Sequence, residues 1–326
     1  MDTHTLVDRW LQDGRALHDH GQYDEAIAVY QRILGARPDH AGALYETAYA
    51  LHAKREHHEA IALLEDILAT TGSHAADAHI LLGSIHDQLG DWPNGEQVFR
   101  AGLERFPGDA RLYFNLGLNL LRQGDAATAT QALLANLAIR PHHARGWAAI
   151  GDARWAADRW ATALLAWTRC LTLQPDLACA QLYASTLWQR LFAGVDLLTK
   201  TINAPPPADL AENEPSTENI AVAVIAAQRY SQWSSEADAD FFAYALEGIV
   251  AHLGEYTNEH PYAASFWNRH LLAYFERAQA SGYLQAVAYE ARLPLQDAPT
   301  ARWIGQHAEL VRRFRVWSKS WKAAPG

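Results

Sequence analysis

Cysteine is nearly missing from this chain: Cys170 and Cys179 are its only two, too few for a disulfide framework and in keeping with a reducing compartment. Basic residues are in deficit, 27 against 37 acidic ones, and the formal charge of -10 sets up a field that repels phosphate backbones. No nucleic-acid partner is therefore expected. No stretch approaches the roughly 20 uninterrupted apolar residues of a membrane-spanning helix. Met1-Asp2-Thr3-His4-Thr5 carries acid where a secretory leader needs Lys or Arg. The expected location is cytoplasmic, without a membrane. A glycine-rich phosphate loop, a nucleophile elbow and Cys or His pairs at zinc spacing are all lacking. No catalytic residue, metal or cofactor is expected, and a binding protein is favoured over an enzyme. Hydrophobic residues, at 49%, supply enough apolar surface for a large core and exclude wholesale disorder.

What is present is a period. Small residues align at Gly14, Ala48, Gly83, Gly117 and Gly151, and again at Ala26, Ala60, Gly95, Ala129 and Ala163. Large apolar residues follow at Tyr30, Leu64, Phe99, Leu133 and Trp167, helix-stopping ones at Pro38, Gly72, Pro107, Pro141 and Pro175, and bulky ones at Trp10, Leu44, His79, Tyr113 and Trp147. Every column steps by 34, 35, 34 and 34 residues, which puts one extra residue near Ser73-His74-Ala75. Small residues mark where two antiparallel helices of one unit cross closely. Bulky columns are expected to fill the gap between units, and Pro ends each second helix. Gly21, Gly90 and Gly124 fall in the turn within each pair, where positive φ is wanted.

These columns, from Val7 to about Asp176, resemble the tetratricopeptide repeat family. The resemblance implies an all-α, right-handed superhelical solenoid of five to six helix pairs. Arg154 departs from the family pattern where an aromatic is usual, Gly102 and Asn136 replace a late Ala, and Gly72 replaces Pro. A sixth, terminal unit is expected, with a first helix from Ala178 to about Phe192 and a short second helix near Val195 to Thr201. The family places ligands on the concave wall of first helices. Carried over unit by unit, that gives Leu11 and Arg15, then Tyr45, Tyr49 and His52, then Ile80, Ser84 and Asp87. The fourth unit gives Arg111, Phe114, Asn115 and Leu118, and the fifth Arg145, Asp152 and Trp155. Such a groove is apolar and aromatic. It lacks the converging cations of a carboxylate clamp and the asparagine ladder of long-peptide binders, and it favours burying a partner's apolar side chains.

The organisation expected is a solenoid over residues 1–201, a Pro-rich linker over 202–218 containing Pro205-Pro206-Pro207, and a helical region over 219–326. In that last region helices are expected from Ser234 to about Leu253, from Tyr262 to Ala280, from Tyr283 to Arg292 and from Thr300 to about Lys322, while Ile220 to Tyr230 reads as helix or strand. The final helix draws an apolar stripe through Trp303, His307, Leu310, Phe314, Trp317 and Trp321, opposite Arg312, Arg313, Lys319 and Lys322. Two readings stand: a stripe packed onto its own region, or a basic helix docking on an anionic surface. Glu247, His252, Glu255, Glu259, His260 and His270 form the one cluster of ligand-type residues, without the Glu-x-x-His pair of helical di-iron sites.

The functional expectation is a scaffold or adaptor that holds a protein or peptide partner in the groove. The alternative is a recruiting arm of an enzyme whose catalytic part is the helical C-terminal region or a fused or partnered domain, such as a glycosyltransferase. Self-association through the groove is a third option.

Overall fold

Each helix pair closes over a residue with almost no side chain. A Cβ added to Gly14 would sit 2.3 Å from the Tyr30 ring, one on Gly83 2.5 Å from Phe99, one on Gly117 2.6 Å from Leu133 and one on Gly151 2.2 Å from Trp167. The large residue of the second helix thus fills the space vacated on the first helix of its own pair. This corrects the expectation for the Tyr30 column, which lies inside the pair rather than between units, because only a glycine or alanine opposite leaves room for a ring.

The computed structural model describes residues 3–69, 74–157, 159–176, 178, 180–191, 195–196, 201–202, 243, 245–248, 250–251 and 271–322. The chain forms two compact units, residues 1–139 and 140–326.

The first unit holds four antiparallel pairs: α1 (Thr3–Asp19) with α2 (Tyr23–Ala36), α3 (Ala41–Ala53) with α4 (His57–Ala69), α5 (Ala75–Gln88) with α6 (Trp92–Arg105), and α7 (Ala110–Arg122) with α8 (Ala126–Ile139). Consecutive helices pack in order, and the first helices also touch laterally, α1 on α3, α3 on α5 and α5 on α7. Gly21, Gly90 and Gly124 adopt φ of +77°, +77° and +84° in the turns inside the pairs. The second pair makes the same turn with Arg55 at φ 65°, a conformation costly for a residue bearing a Cβ. The departures from the family pattern are accommodated. Asn136 is fully buried and its Nδ2 donates to the Ala110 carbonyl at 2.7 Å. A Cβ on Gly102 would meet Leu112 at 2.9 Å and His79 at 3.0 Å, so the missing methyl admits both.

The second unit opens with the fifth pair, α9 (Ala144–Ala156) and α10 (Trp160–Leu173), followed by α11 (Ala180–Leu191). The described ends of the segment near Val195 to Thr201, where a short second helix was expected, are strand. Strands β1 (Val195–Asp196) and β2 (Thr201–Ile202) pair antiparallel instead, Val195 opposite Ile202 and Asp196 opposite Thr201. β-branched Val195, Thr201 and Ile202 suit a strand better than a helix. The surface of α10 is shared by α11 and by two C-terminal helices, so it is covered without a complete sixth pair. Those C-terminal helices are α12 (Ala273–Ala280), α13 (Leu284–Arg292), α14 (Ala298–Gln306) and α15 (Ala308–Ser320), α13 and α15 being the two that touch α10.

Gly282 at φ 71° ends α12, and a 3-10 turn at Leu293–Leu295 containing Pro294 ends α13. The last helix is broken where continuity was expected: His307 separates α14 from α15, and its ring folds back to the Trp303 carbonyl at 2.9 Å. The aromatic stripe packs on its own unit. Phe314 is fully buried, Trp317 lies 5.2 Å from Tyr274 and 5.4 Å from Tyr283, and Trp303 stacks on Tyr289 at 4.0 Å. The Pro-rich linker beyond Ile202, the Ile220 to Tyr230 segment and all of the acid and histidine cluster except Glu247 lie outside the described residues. Among the described residues no group of His, Cys, Asp and Glu could hold a metal ion, and no helix is long and apolar enough to cross a membrane.

Candidate functional site

Because first helices touch laterally, residues one repeat apart on them become neighbours, and the wall they share is built from such pairs. Its charged members are matched to one another. Arg15 of α1 donates to Glu46 of α3 at 2.6 Å, and Arg111 of α7 donates to Asp77 of α5 at 2.6 Å and to Asp109 at 2.7 Å. Asp109 and Asp77 hold the Arg111 guanidinium above its ordinary pKa. Asp87 accepts from Asn119 and from Arg122, each at 2.5 Å, while burial pushes its carboxyl up against their pull. Gly95 makes that pair feasible, since a Cβ there would lie 2.8 Å from both Asp87 Oδ1 and Asn119 Nδ2. Three of the arginines on this wall therefore already have carboxylates, and their pull on an outside carboxylate is correspondingly small.

Between these pairs runs a row of rings. His18 of α1 stacks on Tyr49 at 4.7 Å and 24°, Tyr49 lies parallel to Tyr45 at 6.3 Å and 4°, and Tyr45 faces His74 at 5.8 Å. Tyr45 is half-buried, and burial, reinforced by Asp77, pushes its phenol up to about 12. Tyr49 stays 41% exposed in the middle of the row. The extra residue between the second and third repeats is what brings in the fourth ring, because His74 precedes α5 in a left-handed conformation, φ 70°. At the end of α3 His52 lies 5.4 Å from the His57 ring, and burial first, then His57, hold its pKa below the usual imidazole value.

The remaining expected residues are placed as follows. Leu11 packs on the core formed by Val7, Ile33 and Ala43, and Ile80 on that of Phe99 and Leu112. Ser84 donates to the Ile80 carbonyl and Asn115 to the Arg111 carbonyl, each within its own helix. Leu118 is half-buried, and Phe114, at 9% exposure, faces the interior. In the second unit Arg145 is exposed, and Trp155 and Asp152 join a separate cluster. Trp155 lies 5.3 Å from Trp167, which lies 5.3 Å from Tyr183, and Asp152 accepts from Trp167 Nε1 at 3.1 Å and Tyr183 Oη at 2.9 Å. Burial raises the Asp152 carboxyl despite both donors.

Comparison with known families decides what this architecture is. The tetratricopeptide repeat profile matches residues 11–79, 55–110 and 80–135. Residues 11–135 are tetratricopeptide repeats. Among solved structures, the MamA protein is 20% identical over 53% of this chain and 93% of its own, with a TM-score of 0.44. YrrB, described as a tetratricopeptide repeat protein with an unusual peptide-binding site, is 20% identical over 52% of this chain and 86% of its own, with a TM-score of 0.42. A thermophilic tetratricopeptide repeat protein of Thermus thermophilus, TTC0263, is 22% identical over 56% of this chain and 98% of its own, with a TM-score of 0.48. No curated protein matches the chain.

Reading the repeats by column missed His18 and His74, which belong to the ring row of these tetratricopeptide repeats, and also Glu46, Asp77, Asn119 and Arg122. His18 follows Arg15 by three residues and so falls on the same helix face, a signal present in the sequence. His74 carried no such signal, since its place depends on an insertion.

Proposed function

We propose that this protein is a scaffold that holds a protein or peptide partner on the first-helix wall of residues 1–139, with the row His18, Tyr49, Tyr45 and His74 receiving apolar side chains. The observation that supports this most directly is Tyr49, 41% exposed between two rings that hold its orientation. A partner side chain laid on such a surface gains about 1.5–3 kcal/mol when fully desolvated and a further ~0.5–1.5 kcal/mol if it is aromatic. The arginine pairs along the wall argue for the same ligand class, because an acidic peptide would have to compete with Glu46, Asp77 and Asp87. A cytoplasmic location belongs to the same proposal and is supported by the scarcity of cysteine.

The test is selection of peptides from a random display library on the purified protein, repeated on Tyr49→Ala. Enrichment of peptides with large apolar or aromatic residues on the natural protein, lost on the variant, is the expected result. Recovery of acidic peptides, or of the same peptides on both proteins, would refute the proposal.

A further inference from the structure

Cationic and imidazole side chains gather at the foot of α9 and α10 in the second unit. A pocket of 480 Å³ is lined there by Arg140, Pro141, His142, His143, Leu173 and Gln174, with Ala144 at the first turn of α9. Behind it lies Arg169, 1% exposed. Its Nη1 donates to Ser318 Oγ at 2.6 Å, its Nη2 to the Ser318 carbonyl at 3.1 Å and to His142 Nδ1 at 3.3 Å, and its guanidinium sits 3.9 Å over the Tyr274 ring. None of these partners is a carboxylate. A guanidinium taken out of water without a counter-ion is costly, and an anion within reach of its field relieves that cost.

Arg169 has only donors, so Nδ1 of a neutral His142 must accept and its proton resides on Nε2, which is the ring's one donor. His143 occupies the position before α9 without capping it by its side chain, whereas His40 and Asp109 cap the equivalent first helices α3 and α7. The first-turn amides of α9 therefore take no acceptor from that side chain, and the helix dipole adds its own positive end. We propose that this pocket binds a phosphate-type oxyanion carried by a soluble ligand, with Arg140 and the His142 and His143 rings as donors and Arg169 as the buried cation that sets the field.

The ionisation of the two imidazoles agrees. Burial first, then Arg169 and Lys322, holds His142 below its ordinary pKa, and burial, Arg140 and Arg145 hold His143 down at about 4. The charges that hold these rings down are cations, in a chain whose formal charge is -10. An oxyanion placed among them opposes those cations and lets the His143 ring take up a proton, while His142 stays neutral to accept from Arg169.

The experiment is a titration of the full chain with inorganic phosphate at constant ionic strength, made up with chloride, following the His142 and His143 ring resonances by NMR. Saturable shifts of both rings are expected, with affinity falling at least tenfold in Arg140→Glu and unchanged in Arg313→Glu, an exposed charge on α15. Arg140 is exposed, so circular dichroism of Arg140→Glu should match the natural protein. In phosphate the His143 pKa should rise. Shifts equal to those given by chloride, an affinity untouched by Arg140→Glu, or shifts produced only by phosphatidylglycerol vesicles would each overturn the proposal.

Discussion

Replacing Gly83 by alanine tests how the repeat closes. The added Cβ would lie 2.5, 2.6 and 2.9 Å from three atoms of the Phe99 ring, against about 3.5–4.0 Å for an ordinary carbon contact. The ring must move by roughly 1 Å, and it is fully buried, so its neighbours must move with it. Overpacking of this kind costs about 1–3 kcal/mol, while exchanging glycine for alanine inside a helix returns close to 1 kcal/mol. The net expectation is a loss of up to ~2 kcal/mol. The second repeat shows how to relieve it, since Ala48 and Leu64 share one core there. In a Phe99→Leu background, Gly83→Ala should therefore be neutral or stabilising, a coupling of about 2 kcal/mol in a double-mutant cycle. Amide hydrogen exchange in α5 and α6 reads the change locally. Equal effects of Gly83→Ala in both backgrounds would show that the glycine column is not set by the facing side chain.

Arg55→Gly should stabilise the first unit by about 0.5–1 kcal/mol, because it removes a left-handed residue that carries a Cβ while retaining the turn; an unchanged urea midpoint would contradict this. Asn136→Ala should cost ~0.5–1.5 kcal/mol by removing the buried side-chain bond to the Ala110 carbonyl, and a neutral result would mean that water replaces the amide. His143 supplies a pH test. Its folded pKa of about 4 lies below the ordinary imidazole value of 6.5, so the unfolded chain binds the extra proton between those limits. The stability His143 contributes is fully present above pH 6.5 and is lost as pH falls toward 4. The thermal midpoint should drop across that window, and less steeply in His143→Gln.

The repeat was legible because its columns record steric facts that each unit must satisfy for itself: a small residue faces a large one, and a turn needs positive φ at Gly21, Gly90 and Gly124. The partners of polar residues were not legible in the same way. Arg15 and Glu46, or Asp87 and Arg122, are 31 and 35 residues apart, and nothing in either position says that its mate is the neighbouring repeat rather than a ligand. The ring row shows the same limit, with Tyr45 and Tyr49 readable from spacing and His74 placed by an irregularity in the period. At the end of the array the column rule stopped applying. α10 is covered by α13 and α15, far along the chain, so Val195 and Thr201 were free to form strands where a periodic reading required a helix.

The central claim is that a partner lies on the rings of the first-helix wall, and site-specific photo-cross-linking tests it most directly. A benzophenone side chain placed at Tyr49, with a second protein carrying it at Gln31 on the exposed face of α2, would be irradiated with a display-selected peptide. The account predicts an adduct at position 49 and none at 31. A peptide that binds yet labels position 31 as readily, or fails to label 49, would contradict it.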